Sequence, residues 1–283
     1  MSLCSERPNL VYTIAFDAPG SNAHRLMAKM LASSLLKTHF FGDVIIFRNS
    51  PIPIFRVERK GLEEVFIETP RLSGFEGAKD AWCWKYKIRN LLPLEGYDKI
   101  LFLDADCLAL RNIDHLLEGD WDIAYKEEAN SSIRSSQFSA FLTDEEMQTL
   151  KRPGINSGQL AIRADRFEDV MTQWENIDRS EPIRHTNCFD QCSWNKLIVN
   201  LEKGNGEYPL QSSGEARVRT RKFERGEICF PLLSDCMYTA YEDAALLHCL
   251  GADTRKKLRF LFSTYMGTFY FDDELIVLNL LEV

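Results

Sequence analysis

YDKILFLDADCLALRNIDHLLE, residues 97–118, contains the feature on which the reading of the chain turns. Ile100, Leu101, Phe102 and Leu103 form a short apolar run that reads as a buried strand. The run leads directly into Asp104-Ala105-Asp106. Two carboxylates one residue apart, where a strand ends, can turn toward one hard cation and leave other coordination positions for phosphate oxygens. Such an oxygen-rich site suits Mg²⁺ or Mn²⁺, and a cation bridging two phosphates stabilises charge on a diphosphate. An isolated D-x-D is common by chance, one Asp capping the next turn and the other solvated; here the preceding buried strand favours the chemical reading.

Outward from this point, strands and helices alternate. Residues 10–16 read as a buried strand closed by the turn Asp17-Ala18-Pro19-Gly20. Leu26, Met27, Met30, Leu31, Ser34 and Leu35 follow at helical spacing behind Asn22 as N-cap, and residues 44–47 form the next apolar run. Residues 64–67 read as a third strand, and residues 78–92, stopped by Pro93, as a helix. The alternation predicts an α/β fold: a Rossmann-like, mostly parallel central sheet with helices on both faces, ligands sitting beyond the carboxyl ends of the strands. Residues 126–152 are polar and rich in serine, which predicts an active-site flap or a partly helical insertion, with a mobile surface loop as the other reading. Farther on, residues 158–162 read as a strand, and residues 165–174 and 190–199 as helices.

The whole is expected to be one domain over residues 1–283. It divides into a nucleotide-binding half at about 8–110, a sugar and acceptor half at about 111–257, and a C-terminal extension at about 258–283. The formal charge of -8 and a pI near 5.3 argue against a nucleic-acid partner, because backbone binding draws on clustered Lys and Arg. A small phosphorylated ligand is compatible with an acidic chain, since nearby groups set the local field. No apolar run approaches the ~18 residues of a membrane span, and no leader is recognisable, so a cytoplasmic location is expected. The 8 cysteines stand singly, without the spacing of a disulfide scaffold, and reduced thiols are expected. His185, Cys188 and Cys192 lack a fourth ligand at suitable spacing and suggest no structural zinc.

Four segments together resemble glycosyltransferase family 8, the glycogenin-like and lipopolysaccharide galactosyltransferase-like enzymes of GT-A fold. The D-x-D region is the first, and INSGQLAIR, FDQCSWNKL and LLHCLG follow in the family's order. The similarity spans roughly residues 10–257. It implies a metal held by Asp104, Asp106 and His248, and a nitrogen donor favours Mn²⁺, with Mg²⁺ the other candidate. Asn156, Ser157 and Gly158 would lie beside the donor sugar, and Asp190 would bind its hydroxyls. Gln191 would lie against the anomeric carbon, opposite the leaving diphosphate. Ala15, Phe16 and Asp17 would meet the nucleotide base, and Ala105, Lys87 and Gly251 would belong to the donor site.

Thr254 stands where the family usually carries a lysine, so Lys256 is expected to take the pyrophosphate instead. Cys192 occupies a position where the family often has Asp. The expected activity is metal-dependent transfer of a hexose, glucose or galactose first, from a UDP-sugar to an unidentified acceptor with retention of configuration. That acceptor is a glycan, a lipid-linked saccharide, a protein or a small molecule.

Each residue has a plainer reading. Asp190 serves equally as a helix N-cap worth about 1 kcal/mol, Asn156 to Gly158 as a turn before a strand, and His248 as a packed core histidine. Two other functions remain in view. A haloacid-dehalogenase-like phosphatase would use Asp104 as nucleophile and Asp106 as acid, although three strands precede this pair. A catalytically silent nucleotide-sugar-binding module would keep the same pocket without transfer.

Overall fold

A computed structural model describes residues 8–69, 74–180, 188–203, 218–231, 243–250 and 253–269. The chain runs β1 (Asn9–Ala15), α1 (Ala23–Lys37), β2 (Gly42–Arg48), β3 (Leu62–Phe66), α2 (Gly74–Lys87), β4 (Lys99–Leu103) and β5 (Cys107–Ala109). It continues through β6 (Ile123–Ser132), α3 (Asp144–Thr149), β7 (Pro153–Arg163), α4 (Ala164–Ser180) and α5 (Phe189–Lys203). Three short strands, β8 (Thr220–Lys222), β9 (Ile228–Cys229) and β10 (Leu246–His248), precede α6 (Thr254–Phe269). The fold is α/β, and its strands pair mostly in parallel, as the alternating pattern predicts. Among the described residues no helix is long and apolar enough to cross a membrane.

The chain packs as two compact units, each drawn from separated segments. The β1 unit combines Pro8–Gly77 and Leu103–Glu118 with segments from Glu224 onward; the β7 unit combines Ala78–Phe102 with Gly119–Phe223.

In the β1 unit, β1 pairs in parallel with β2, from Asn9↔Gly42 to Ala15↔Arg48, and β2 with β3, from Val44↔Leu62 to Arg48↔Phe66. Leu10, Val11 and Tyr12 are all buried, the continuous burial expected of a strand covered on both faces. Residues 26–35 of α1 are buried without interruption, because the helix packs on β1, β5 and α6. Ser34 takes part in that packing: its hydroxyl donates to Leu31 O and accepts the Ala109 amide of β5 at 3.0 Å. Asn22 occupies the N-cap position, but its side chain makes no capping hydrogen bond. The first turn finds its acceptors upstream instead: Asp17 Oδ1 receives the His24 amide at 2.8 Å and Ser21 Oγ the Ala23 amide at 3.3 Å.

In the β7 unit the strand order is β4-β7-β6-β8. Of the forms expected for residues 126–152, the partly helical one is found: β6 runs on to Ser132 and α3 follows. Ile133, Phe138, Leu142 and Val199 form a small core under it, with Met147 and Leu150 packed alongside. The serines that suggested exposure alternate with these apolar anchors. Gly154 of β7 admits the Phe138 ring, which would stand 2.3 Å from a Cβ added there. Thr143 and Glu146 close a reciprocal capping box at the start of α3. Glu146 is also buried, and its carboxylate receives Lys196 at 2.8 Å and Lys203 at 2.9 Å, which ties α3 to α5.

Burial alone would raise the Glu146 carboxyl, but the hydrogen bonds from Lys196, the Thr143 amide and Lys203 outweigh it and hold it at about 2. Its folded pKa lies below the ordinary 4.5, so its stabilisation is complete above that pH and is lost as pH falls toward about 2. Glu146→Gln is therefore expected to lower unfolding free energy by about 2–4 kcal/mol at neutral pH. Urea titrations at a series of pH values should also show the loss of stability below pH 4.5 becoming shallower in the variant than in the parent.

Candidate functional site

Two polar clusters are built from the segments singled out in the sequence, one in each unit. The first follows the end of β4. After Leu103 the backbone turns through Asp104-Ala105-Asp106, closed by the Cys107 amide on Asp104 O at 3.0 Å, and enters β5. β5 pairs antiparallel with β10 through Leu246↔Ala109, Leu247↔Leu108 and His248↔Cys107, and the Cys249 amide donates to Asp106 O at 3.1 Å. This short ladder brings His248 to the carboxylates: its Nε2 lies 3.1 Å from Asp106 Oδ1 and 3.6 Å from Asp104 Oδ2. His248 is 3% exposed, and Phe230 meets its ring edge-on. Lys257, from the first turns of α6, places Nζ 2.6 Å from Asp106 Oδ2.

Burial by itself would raise the Asp106 carboxyl, but His248 and Lys257 beside it prevail and hold it well below the usual carboxylate range. Lys257 shows the converse: burial disfavours its charge, yet Asp106 and then Asp104 push its pKa above the ordinary lysine value. Underneath, burial and then the charge of Asp104 raise the Tyr12 hydroxyl, which stays protonated.

Two carboxylates and an imidazole converging in this way form a donor set that a divalent cation fits. The Cys107 thiol stands within the same space, since ligand atoms of Asp106, Cys107 and His248 all lie within 4.8 Å of one another. A soft sulfur donor in reach adds affinity for zinc-like ions to that set.

The second cluster joins β7 to the start of α5. The N-S-G segment lies inside β7 instead of entering it, because the strand begins at Pro153. Pairing with β6 jumps from Tyr125↔Leu160 to Lys126↔Asn156, so Ser157, Gly158 and Gln159 form a bulge. The bulge re-aims these residues toward α5. Ser157 Oγ donates to Asp190 Oδ2 at 2.7 Å, and the Ser157 amide donates to Gln191 Oε1 at 3.3 Å. Asn195 clamps the two elements: its Oδ1 accepts the Ile155 amide, while its Nδ2 donates to Ile155 O and Gln191 O.

Asn156 is engaged on both sides, accepting the Gly158 amide and donating to Glu128 Oε1 at 2.6 Å. Lys85 of α2 lies 2.8 Å from Asp190 Oδ2 and reaches Ser157 O at 3.3 Å; lysine and aspartate are each 6% exposed. Burial, and next the Asp190 charge, push the neighbouring Cys188 thiol up to about 11, so it is protonated at neutral pH.

The expected residues thus fall out as follows. Asp104, Asp106 and His248 meet, as do Asp190, Gln191, Asn156, Ser157 and Gly158. Ala105 is buried in the turn between the two aspartates, and Ala15 and Phe16 are buried at the end of β1. Asp17 caps α1, with its amide on Asn49 Oδ1 at 3.0 Å. Gly251 lies outside the described residues.

The two expected lysines are placed elsewhere. Lys87 lies over the Trp84 ring, and Lys85 is the buried lysine at Asp190. Lys256 is exposed, its amide on Asp253 Oδ1, and Lys257 is the one at the carboxylates. Helix phase is the reason in α6: Lys257, Leu261 and Tyr265 share one stripe at a spacing of four, and the latter two are fully buried. Reading that stripe back one turn would have found Lys257. Glu128 carried no local signal, because only the β6–β7 register brings it to Asn156.

The chain is similar to UDP-glucuronate:xylan alpha-glucuronosyltransferase 1 of Arabidopsis thaliana, with 38% identity over 89 residues, covering 30% of this chain and 13% of that protein. Its fold is similar to that of the WbbM bifunctional glycosyltransferase in its apo structure. There the TM-score is 0.56 at 12% identity, over 98% of this chain and 52% of that one. No protein-family profile matches. The fold is therefore one that a glycosyltransferase uses, GT-A-like in class. The chain spans about half of the solved protein and a smaller part of the plant enzyme.

The Lys85–Asp190 pair should behave as a buried ion pair whose members depend on each other. Lys85→Met strands a buried carboxylate and is expected to cost about 3 kcal/mol in denaturant unfolding. Adding Asp190→Asn should recover about 1–2 kcal/mol, so the double variant unfolds later than the sum of the single losses requires.

Proposed function

We propose that the chain is a glycosyltransferase of the family 8 kind, moving a hexose from a UDP-sugar to an acceptor with retention of configuration. Glucose and galactose are the leading sugars, and the plant relative's use of UDP-glucuronate adds a uronic acid to the panel. The observation that carries the reading is the meeting of Asp104, Asp106 and His248 at the end of a strand, in a fold shared with a glycosyltransferase. Both named similar proteins are glycosyltransferases, which favours sugar transfer over phosphate hydrolysis.

Asp104, Asp106 and His248 would hold Mn²⁺ or Mg²⁺, which supplies neutralisation of the departing diphosphate's charge. The chain's own contribution is position. Asp190 is assigned the sugar hydroxyls, with Lys85 and Ser157 fixing its carboxylate. Gln191 is assigned the anomeric carbon; the Ser157 amide holds its carbonyl oxygen and so orients its side-chain NH₂. A glutamine amide is a poor nucleophile, which favours attack by the acceptor on the face from which the diphosphate leaves. On that reading most of the rate comes from orientation and charge stabilisation. Asn156 acts through Glu128 and the Gly158 amide, as a brace for the bulge.

Residues 1–283 are read as one transferase domain to which both units belong. A reducing, cytoplasmic setting fits the six described cysteines, none of which is in a disulfide.

The test is a screen of UDP-glucose, UDP-galactose, UDP-glucuronate and related donors for UDP release in Mn²⁺, followed by mass spectrometry. One donor is expected to turn over, and Asp106→Asn to lower the rate at least about 100-fold. Tight UDP binding with no hydrolysis or transfer of any donor would instead identify a silent binding module.

A further inference from the structure

Asp106 has two carboxylate oxygens and two claimants. Oδ1 faces His248 Nε2 at 3.1 Å, and Oδ2 is taken by the Lys257 ammonium at 2.6 Å. A carboxylate that serves an ammonium at this distance cannot give the same oxygen undiminished to a divalent cation. Asp104 feels the same lysine, whose pKa it helps to raise. The ammonium thus occupies the place on Asp106 that a metal bound between the two aspartates would contest.

The lysine is held there by its helix. Leu258, Leu261 and Tyr265 bury α6 against the β1 unit, and α6 packs on α1, so the Lys257 backbone is anchored while its four-carbon stem keeps rotatable bonds. Its side chain is 18% exposed, against 11% for Asp106, so one end of the pair lies toward the surface. An ammonium released from Asp106 carries its charge only a few ångströms, into the field of whatever anion the metal attracts.

We propose that Lys257 is an internal competitor for the divalent cation, displaced from Asp106 by the metal and re-paired with the phosphates of the nucleotide. This rests on the donor-site reading given above. Its consequence is cooperativity: the metal frees a cation for the diphosphate, and the diphosphate draws that cation off the metal's ligand. By linkage, each must then raise the affinity of the other by the same factor. A fixed ammonium beside the metal would only repel it.

The experiment measures binding of Mn²⁺ alone, of UDP alone, and of each with the other saturating, by titration calorimetry on the full chain. Lys257→Met is expected to bind Mn²⁺ alone roughly tenfold more tightly, as the loss of one charge-assisted contact implies. In the same variant the mutual enhancement between Mn²⁺ and UDP should shrink by a similar factor. Arg259→Met removes the same charge from an exposed position of α6 and should leave Mn²⁺ affinity within about twofold, which separates the specific contact from the general field.

Lys257→Gln serves if the methionine variant unfolds, and circular dichroism checks both. Unchanged or weaker Mn²⁺ binding by a folded Lys257 variant overturns the exchange while leaving the metal site intact. If the parent chain binds no Mn²⁺, or if Asp106→Asn binds it equally well, the donor-site reading fails first and the exchange with it.

Discussion

The site depends above all on a short piece of antiparallel backbone. β5 and β10 share three paired residues, yet that ladder joins the D-x-D turn to a histidine far along the chain. A main-chain hydrogen bond from Cys249 to Asp106 extends it to the turn itself. The lone imidazole and the paired aspartates are unremarkable apart, and it is the ladder that brings them together. β9 on the far side of β10 and α1 under β5 hold the ladder in place, the latter through the buried hydroxyl of Ser34. Ser34 looks in the sequence like a polar residue on an apolar helical face; in the fold it satisfies a strand amide that would otherwise be buried without a partner.

A bulge does the corresponding work in the other unit. Regular pairing of β6 with β7 would send Ser157 and Gln159 to one face and Gly158 to the other, as strand geometry requires. The three bulged residues break that alternation, and Ser157 then offers both its hydroxyl and its amide to the first turn of α5. Asn195 fixes the distance between strand and helix with three hydrogen bonds, so the Asp190 and Gln191 side chains start from a rigid base. Placement of polar groups on regular elements, with a second layer holding their rotamers, is what a site needs for orientation to contribute to rate.

Charge is balanced locally in both units. Asp190 has Lys85, Asp106 has Lys257, and Glu146 has two lysines, each ion meeting its counterpart within a few ångströms. The pairing lets a chain of net charge -8 bury carboxylates, because the field at each one is set by the ammonium beside it. It also explains why lysines two positions and one position from those expected matter. On a helix a single step turns a side chain by about 100°, enough to exchange a buried ion pair for an exposed one.

The sequence by itself determined the α/β class, the strands leading to Asp104 and the helix beginning at Asp190, because these are local properties: an apolar run of strand length, a helical period, a turn residue at its end. The resemblance of four short segments also marked Asp104, Asp106, His248, Asp190 and Gln191, since such motifs occupy consecutive positions. Only the tertiary structure decided which residues accompany them. Lys85, Lys257 and Glu128 are chosen by helix phase against a core and by the register of a bulged strand pair, and the fold of residues 126–152 is set by a few apolar anchors among serines. Those choices come from contacts between segments distant in the chain, whose energies no window of neighbouring residues contains.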